Sequence, residues 1–136
     1  MSQQHVTGSF DVKTIPMTTE DKFKDAGLGL LALDKQFHGD LEASSLGQML
    51  SAGTATPGTA GYVAIEKVTG TLSGRKGTFI LQHIGTMAEG KFSLAITVLP
   101  GSGTDQLKGL NGTMSIRIEA GGKHFYDFDF TLPATQ

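Results

Sequence analysis

Between Tyr62 and Leu99 the chain repeats one pattern three times. Tyr62-Val-Ala-Ile-Glu-Lys-Val-Thr, Phe79-Ile-Leu-Gln-His-Ile-Gly-Thr and Phe92-Ser-Leu-Ala-Ile-Thr-Val-Leu are rich in β-branched and aromatic residues and are separated by glycine-bearing turns. Such runs are too short and too regularly punctuated for helices. They predict three consecutive antiparallel strands, with the rest of the chain extending that sheet on both sides.

The flanks carry the same signal. Val6 to Ile15 alternates, with Val6, Gly8, Phe10 and Val12 on one face and Thr7, Ser9, Asp11 and Lys13 on the other. Pro16 and a polar run from Thr18 to Lys22 end it. Leu28 to His38 predicts a second strand, because Gly27 and Gly29 disfavour a helix there. Leu41 to Leu50 returns as a third. Gly53 to Gly61 is a loop of small residues. Strands four to six span Tyr62–Leu72, Thr78–Met87 and Lys91–Leu99. A glycine-rich connection follows, with one helical turn expected at Asp105–Lys108. Strand seven is Thr113–Ala120, Gly121-Gly122 suits a two-residue hairpin turn with positive φ, and strand eight is Lys123–Leu132.

Nineteen glycines, distributed between apolar runs rather than gathered in one linker, fit many short strands joined by tight turns. The prediction is an all-β single domain, an eight-stranded antiparallel meander barrel, since closure removes the exposed edges of a long open sheet. A two-sheet sandwich is the alternative that alternation does not separate. Eight strands enclose space enough for packed side chains or one small ligand.

Composition narrows the partners. Eleven basic and thirteen acidic residues leave no cationic excess for phosphates, so no nucleic-acid partner is expected. The chain has no cysteine, begins without an apolar signal core, and has no apolar run near the ~20 residues that span a bilayer. A cytoplasmic protein with no membrane partner is the expectation. The four histidines lie in separate segments without metal-ligand spacing, so neither a metal nor another cofactor is expected.

Five residues are candidates for ligand binding. His83 shares a face with Phe79 and Leu81, and Glu66 with Tyr62 and Ala64. A carboxylate on an inward face is expected to have its pKa raised by desolvation. Glu42 is flanked by Leu41 and Ala43. Tyr126 lies on a face with His124, Phe128 and Phe130. The fifth strand is apolar on both faces, through Phe79 and Leu81 on one and Ile80 and Ile84 on the other, which predicts a homo-oligomer that covers the outer face.

The run from Gly61 to Met87, the run Val98-Leu-Pro-Gly-Ser-Gly-Thr-Asp-Gln-Leu-Lys-Gly-Leu-Asn-Gly112 and the phrase His124-Phe-Tyr resemble a bacterial family of small proteins of unknown function. Members of that family are similar in fold to allene oxide cyclase and dirigent proteins, eight-stranded antiparallel barrels that often form homo-oligomers. The glycine pattern from Gly103 to Gly112 is like that of allene oxide cyclase, with Asp105 where that pattern has a glycine. The resemblance implies a barrel with a pocket. The cyclase pocket uses a glutamate, asparagines and a nearby cysteine, whereas this chain has no cysteine and only Asn111, in a turn. The resemblance therefore carries the fold and not the reaction.

Three functions follow from the sequence. The first is a module that binds a small apolar or amphipathic ligand in the lumen. The second is an isomerase- or cyclase-like enzyme using Glu66 or His83 for proton transfer. The third is a packed barrel that acts through its surface.

Overall fold

A computed structural model describes residues 3–133. Eight strands form a closed barrel: β1 (Gln4–Pro16), β2 (Leu28–Gly39), β3 (Leu41–Gly53), β4 (Ala60–Leu72), β5 (Arg75–Ala88), β6 (Lys91–Val98), β7 (Asn111–Glu119) and β8 (Lys123–Thr131). Every strand pairs antiparallel with its sequence neighbour, and β1 closes the circle against β8, from Gln4↔Phe130 to Phe10↔His124. The sandwich alternative is thereby excluded.

Local departures from the sequence reading have simple causes. The polar run after β1 holds a single-turn helix, α1 (Asp21–Asp25), ended by Gly27 at φ 82°. β3 and β4 run longer than expected, pairing as far as Gly53↔Ala60 and leaving a shorter small-residue loop between them. Glu119 pairs with Lys123, so the β7–β8 connection has three residues rather than two, and both Gly121 and Gly122 have positive φ as their turn requires. Asp105–Leu107 forms a 3₁₀ turn. Among the described residues no helix is long and apolar enough to cross a membrane.

Alternation assigns the inner wall. Val6 and Phe10, Leu33 and Phe37, Leu41 and Ala43, Ala64, Val68 and Leu72, Phe79 and Leu81, Ile96 and Val98, Met114, and Tyr126, Phe128 and Phe130 all point inward and are buried. Most of these apolar residues fill one half of the barrel. Phe79 stacks on Phe128 at 5.9 Å between ring centres, and Phe128 meets Phe130 at a tilt, 5.2 Å between centres.

The β6–β7 connection caps that half with Leu107 and Leu110, both 1% exposed. It is held to β5 as an extra length of ladder. Thr104 N donates to Thr78 O at 2.9 Å, Thr78 N to Thr104 Oγ1 at 3.0 Å and Ile80 N to Ser102 Oγ at 3.0 Å. Gly103 is needed within it, since a Cβ there would stand 1.9 Å from Leu107 O. This end is closed. At the other end the inward positions Met87, Phe92 and Ile118 are 38%, 54% and 67% exposed, so the wall there opens to solvent.

The outer wall is uneven. Register aligns Leu30, Leu50, Val63, Ile84 and Ala95 in one row across β2 to β6. Ile84 and neighbouring Leu46 are more than half exposed, and Leu50, Val63 and Ile65 nearly half. This face forms a groove of about 590 Å³ lined by no aspartate, glutamate, lysine or arginine, with His83 its one titratable residue. The opposite side, on β1, β7 and β8, carries His5, Asp11, Lys13, Arg117, Glu119, Asp127 and Asp129.

Candidate functional site

Midway along the lumen four polar side chains meet. Glu66 on β4 is wholly buried and accepts three bonds: from Lys35 Nζ of β2 at 2.8 Å, from Ser45 Oγ of β3 at 2.9 Å, and from His83 Nε2 of β5 at 2.7 Å. The four strands are consecutive. Register places Lys35 opposite Ser45, and Glu66 one row nearer the open end, beside His83's partner Ala64 and opposite Gly47. A Cβ at Gly47 would stand 2.7 Å from Glu66 Cβ, so glycine there leaves the carboxylate its space.

A buried charge without partners is strongly disfavoured. Here the carboxylate has a cation and two further donors, and Lys35 lies near the rings of Phe10 and Phe37, at 5.2 and 5.8 Å from their centres. No buried side-chain polar atom among the described residues is left unpaired.

The expected rise in the Glu66 pKa is reversed. Burial does push it upward and is the largest single influence. The His83 hydrogen bond, the charge and hydrogen bond of Lys35, and the charge of His83 together outweigh it, and the carboxyl is lowered to about 2. Glu66 is therefore a fixed anion, not a proton carrier. An ionised carboxylate only accepts, so the contact atom Nε2 of His83 bears a proton. When the imidazole is neutral, its Nδ1 is left as a hydrogen-bond acceptor; that atom has no protein partner among the described residues and is reached by solvent.

Tyr62 stands one row nearer the open end. It lies opposite Gly85, and a Cβ at Gly85 would be 2.2 Å from the Tyr62 ring, so the ring lies flat across the bare backbone. Its centre is 6.4 Å from that of His83. Burial first, and the charge of Glu66 second, hold the phenol above its ordinary pKa, which keeps it a donor. Its hydroxyl has no hydrogen-bond partner among the described residues.

The structure thus gathers Tyr62, Glu66 and His83 and separates the other two candidates. Glu42 points outward on the barrel surface, where it accepts from Gly39 N at 3.2 Å and pairs with His38 at 3.3 Å. Its buried neighbours Leu41 and Ala43 occupy the other face. Tyr126 faces inward but sits in the packed half, accepting from Leu41 N at 3.0 Å and donating to His38 O at 2.9 Å, so it pins the β2–β3 hairpin. His124 is half-buried, its ring centre 5.2 Å from that of Phe10. Lys35 and Ser45 were not among the candidates. Their signal was the alternation Leu33, Lys35, Phe37 and Leu41, Ala43, Ser45, which puts both on the inner face. No group of three or more metal-ligating side chains occurs among the described residues.

These features define a class: a closed antiparallel barrel, packed at one end and open at the other, with a neutralised ion cluster across its waist. Residues 6–130 match the family model described as "Protein of unknown function (DUF3224)", and the chain belongs to that family. It is similar to the crystal structure of a protein of unknown function from the DUF3224 family of Shewanella oneidensis MR-1. The two are 51% identical, with a TM-score of 0.89 over 97% of this chain and 99% of the other. No functionally curated protein matches the chain.

Proposed function

We propose that the protein binds a small amphiphile in the open half of the barrel, with a carboxyl or hydroxyl group between Tyr62 and His83. One observation carries this reading. In a cluster where every other polar group is engaged, Tyr62 and His83, whose ring centres are 6.4 Å apart, present a hydroxyl donor and an Nδ1 acceptor that no other described residue bonds. A hydroxyl or protonated carboxyl satisfies both at once. Around them Leu31, Met49, Leu94 and Ile116 are half-buried at inward positions and offer apolar contact.

Fluorescence titration with a dansyl-labelled saturated fatty acid tests it, beside native mass spectrometry of freshly purified protein. Saturable binding is expected, weakened roughly tenfold in Tyr62→Phe, the effect of one hydrogen bond of about 1 kcal/mol or slightly more. His83→Gln is expected to weaken it similarly. Absence of both binding and any retained small molecule, or unchanged affinity in the two variants, rejects the reading.

We also propose that a second copy of the chain covers the outer row Leu30–Leu50–Val63–Ile84–Ala95. Monomers rarely expose a continuous apolar patch beyond roughly 300–600 Å², and here Leu50, Val63, Ile65 and Ile84 stand exposed side by side on one outer face. The row is uncharged, so an identical face meets it without burying an unpaired charge. Light scattering at micromolar concentration is expected to give twice the mass of one chain. Ile84→Glu, an exposed substitution, should give the mass of a single chain with an unchanged circular dichroism spectrum. A single-chain mass for the unaltered protein overturns the proposal.

A further inference from the structure

The barrel is not equally closed all round. β5 and β6 pair over eight positions and β7 and β8 over nine, but β6 and β7 pair at two only, Ile96↔Met114 and Thr97↔Thr113. Toward the open end the strands part. The two edges left without a ladder partner, Lys91–Ala95 and Ser115–Glu119, carry Leu94 and Phe92 on one side and Ile116 and Ile118 on the other. All four occupy inward positions. Were the ladder continued, Leu94 would face Ile116 and Phe92 would face Ile118. Instead Phe92 is 54% and Ile118 67% exposed.

This seam starts beside the site. His83, Ile96 and Met114 lie in one row, the last that holds β6 to β7. The next row toward the open end reads Tyr62, Gly85, Leu94, then the gap, then Ile116. From Tyr62 on β4 to the seam's edge on β6 is two interstrand spacings, roughly 10 Å. Gly85, between them, contributes no side chain to the wall.

We infer that the ligand's apolar part lies in the seam between β6 and β7, flanked by Phe92, Leu94, Ile116 and Ile118, and that the ligand enters sideways there. The class this selects is a linear aliphatic chain with one carboxyl or hydroxyl end, rather than a compact ring system seated on the barrel axis. The inference rests on the assignment of Tyr62 and His83 to the polar end. It adds where the rest of the molecule goes and why such a molecule can reach a cluster enclosed on its other side.

The chain has no cysteine, so a pair introduced at Ser93→Cys and Ser115→Cys, outward positions on the two unpaired edges just past the last ladder pair, supplies the only thiols. Bridging them with a short thiol-reactive cross-linker is expected to slow association of the dansyl-labelled fatty acid by about tenfold or more, as binding that waits on an opening does. The same variant without cross-linker should keep the rate of the unaltered protein. A second test needs no bridge. Unlabelled saturated fatty acids of increasing length should displace the probe with rising affinity from the unaltered protein, and this rise should flatten in Phe92→Ser/Ile118→Ser, whose changes are at exposed positions. Unchanged association after bridging, together with an unchanged length dependence in the serine variant, overturns the inference. If the bridge does not form, the length series decides alone. Failure of the unaltered protein to bind the probe removes the polar-end assignment first, whereas normal binding without either seam effect removes only the seam.

Discussion

Replacing Glu66 by glutamine should destabilise the protein by about 3–5 kcal/mol, the usual cost of removing one partner from a buried ion pair. For a chain of this size the melting temperature should fall by roughly 10–20 °C. Glutamine has nearly the same shape and can still meet Ser45 and His83. What it lacks is the charge that neutralises Lys35, whose ammonium would be left beside Phe10 and Phe37 with only their ring faces for compensation. The penalty belongs to the stranded lysine, so removing the lysine as well should relieve it. Glu66→Gln combined with Lys35→Met is expected to recover most of the lost stability, giving a strongly non-additive double-mutant cycle. Thermal melts of the four proteins decide the matter. Additive losses, or a Glu66→Gln protein as stable as the parent, would show that the pair is not the determinant.

Acid should expose the same interaction without a mutation. The Glu66 carboxyl ionises near 4.5 in an unfolded chain and near 2 in the folded one. Because the folded value is depressed, its stabilisation is complete above the ordinary carboxylate range and is lost as pH falls from about 4.5 through about 2, where the unfolded chain binds the extra proton. The shift corresponds to about 3 kcal/mol across that window. Urea unfolding at stepped pH should show this loss in the parent and lack it in Glu66→Gln, so the two stability curves converge as pH falls. Asp127, lowered mainly by its hydrogen bond from Arg117, titrates on the surface in both proteins and cancels in the comparison. Parallel curves would mean that Glu66 is not held as an anion at the barrel's waist.

Much of this was legible in the residues, and the failures share a cause. Period-two alternation tells which face a side chain takes, so Glu66 and His83 could be put on inner faces from Tyr62, Ala64, Phe79 and Leu81. The same logic puts Lys35 with Leu33 and Phe37. A lysine in a strand reads as a solvent-facing residue, however, and only the carboxylate three-dimensionally beside it makes its burial tolerable. That partner lies two strands away, out of reach of any local pattern. Glu42 shows the opposite error: apolar neighbours at the adjacent positions put a residue on the other face, here outside.

Tyr126 shows a second limit. Its face was legible and its depth was not, because alternation carries no information on position along the barrel axis. Nor did the pattern reveal where β6 and β7 part, since apolar alternation runs unbroken through Phe92 and Ile118 while the backbone ladder stops at Ile96 and Met114. The raised pKa expected for Glu66 followed from burial alone. The reversal came from neighbours contributed by other strands.

The pairing of β1 with β8, which joins Gln4 to Phe130, has a consequence for how the molecule is made. During synthesis β1 emerges early yet must wait for β8 before one of its edges is covered. Folding is consequently weighted toward the completed polypeptide, with a long-range closure step of the kind that proceeds slowly. The nascent hairpins meanwhile present sticky borders to other chains, which makes this a protein whose recovery from the ribosome should depend on how crowded its unfinished copies are.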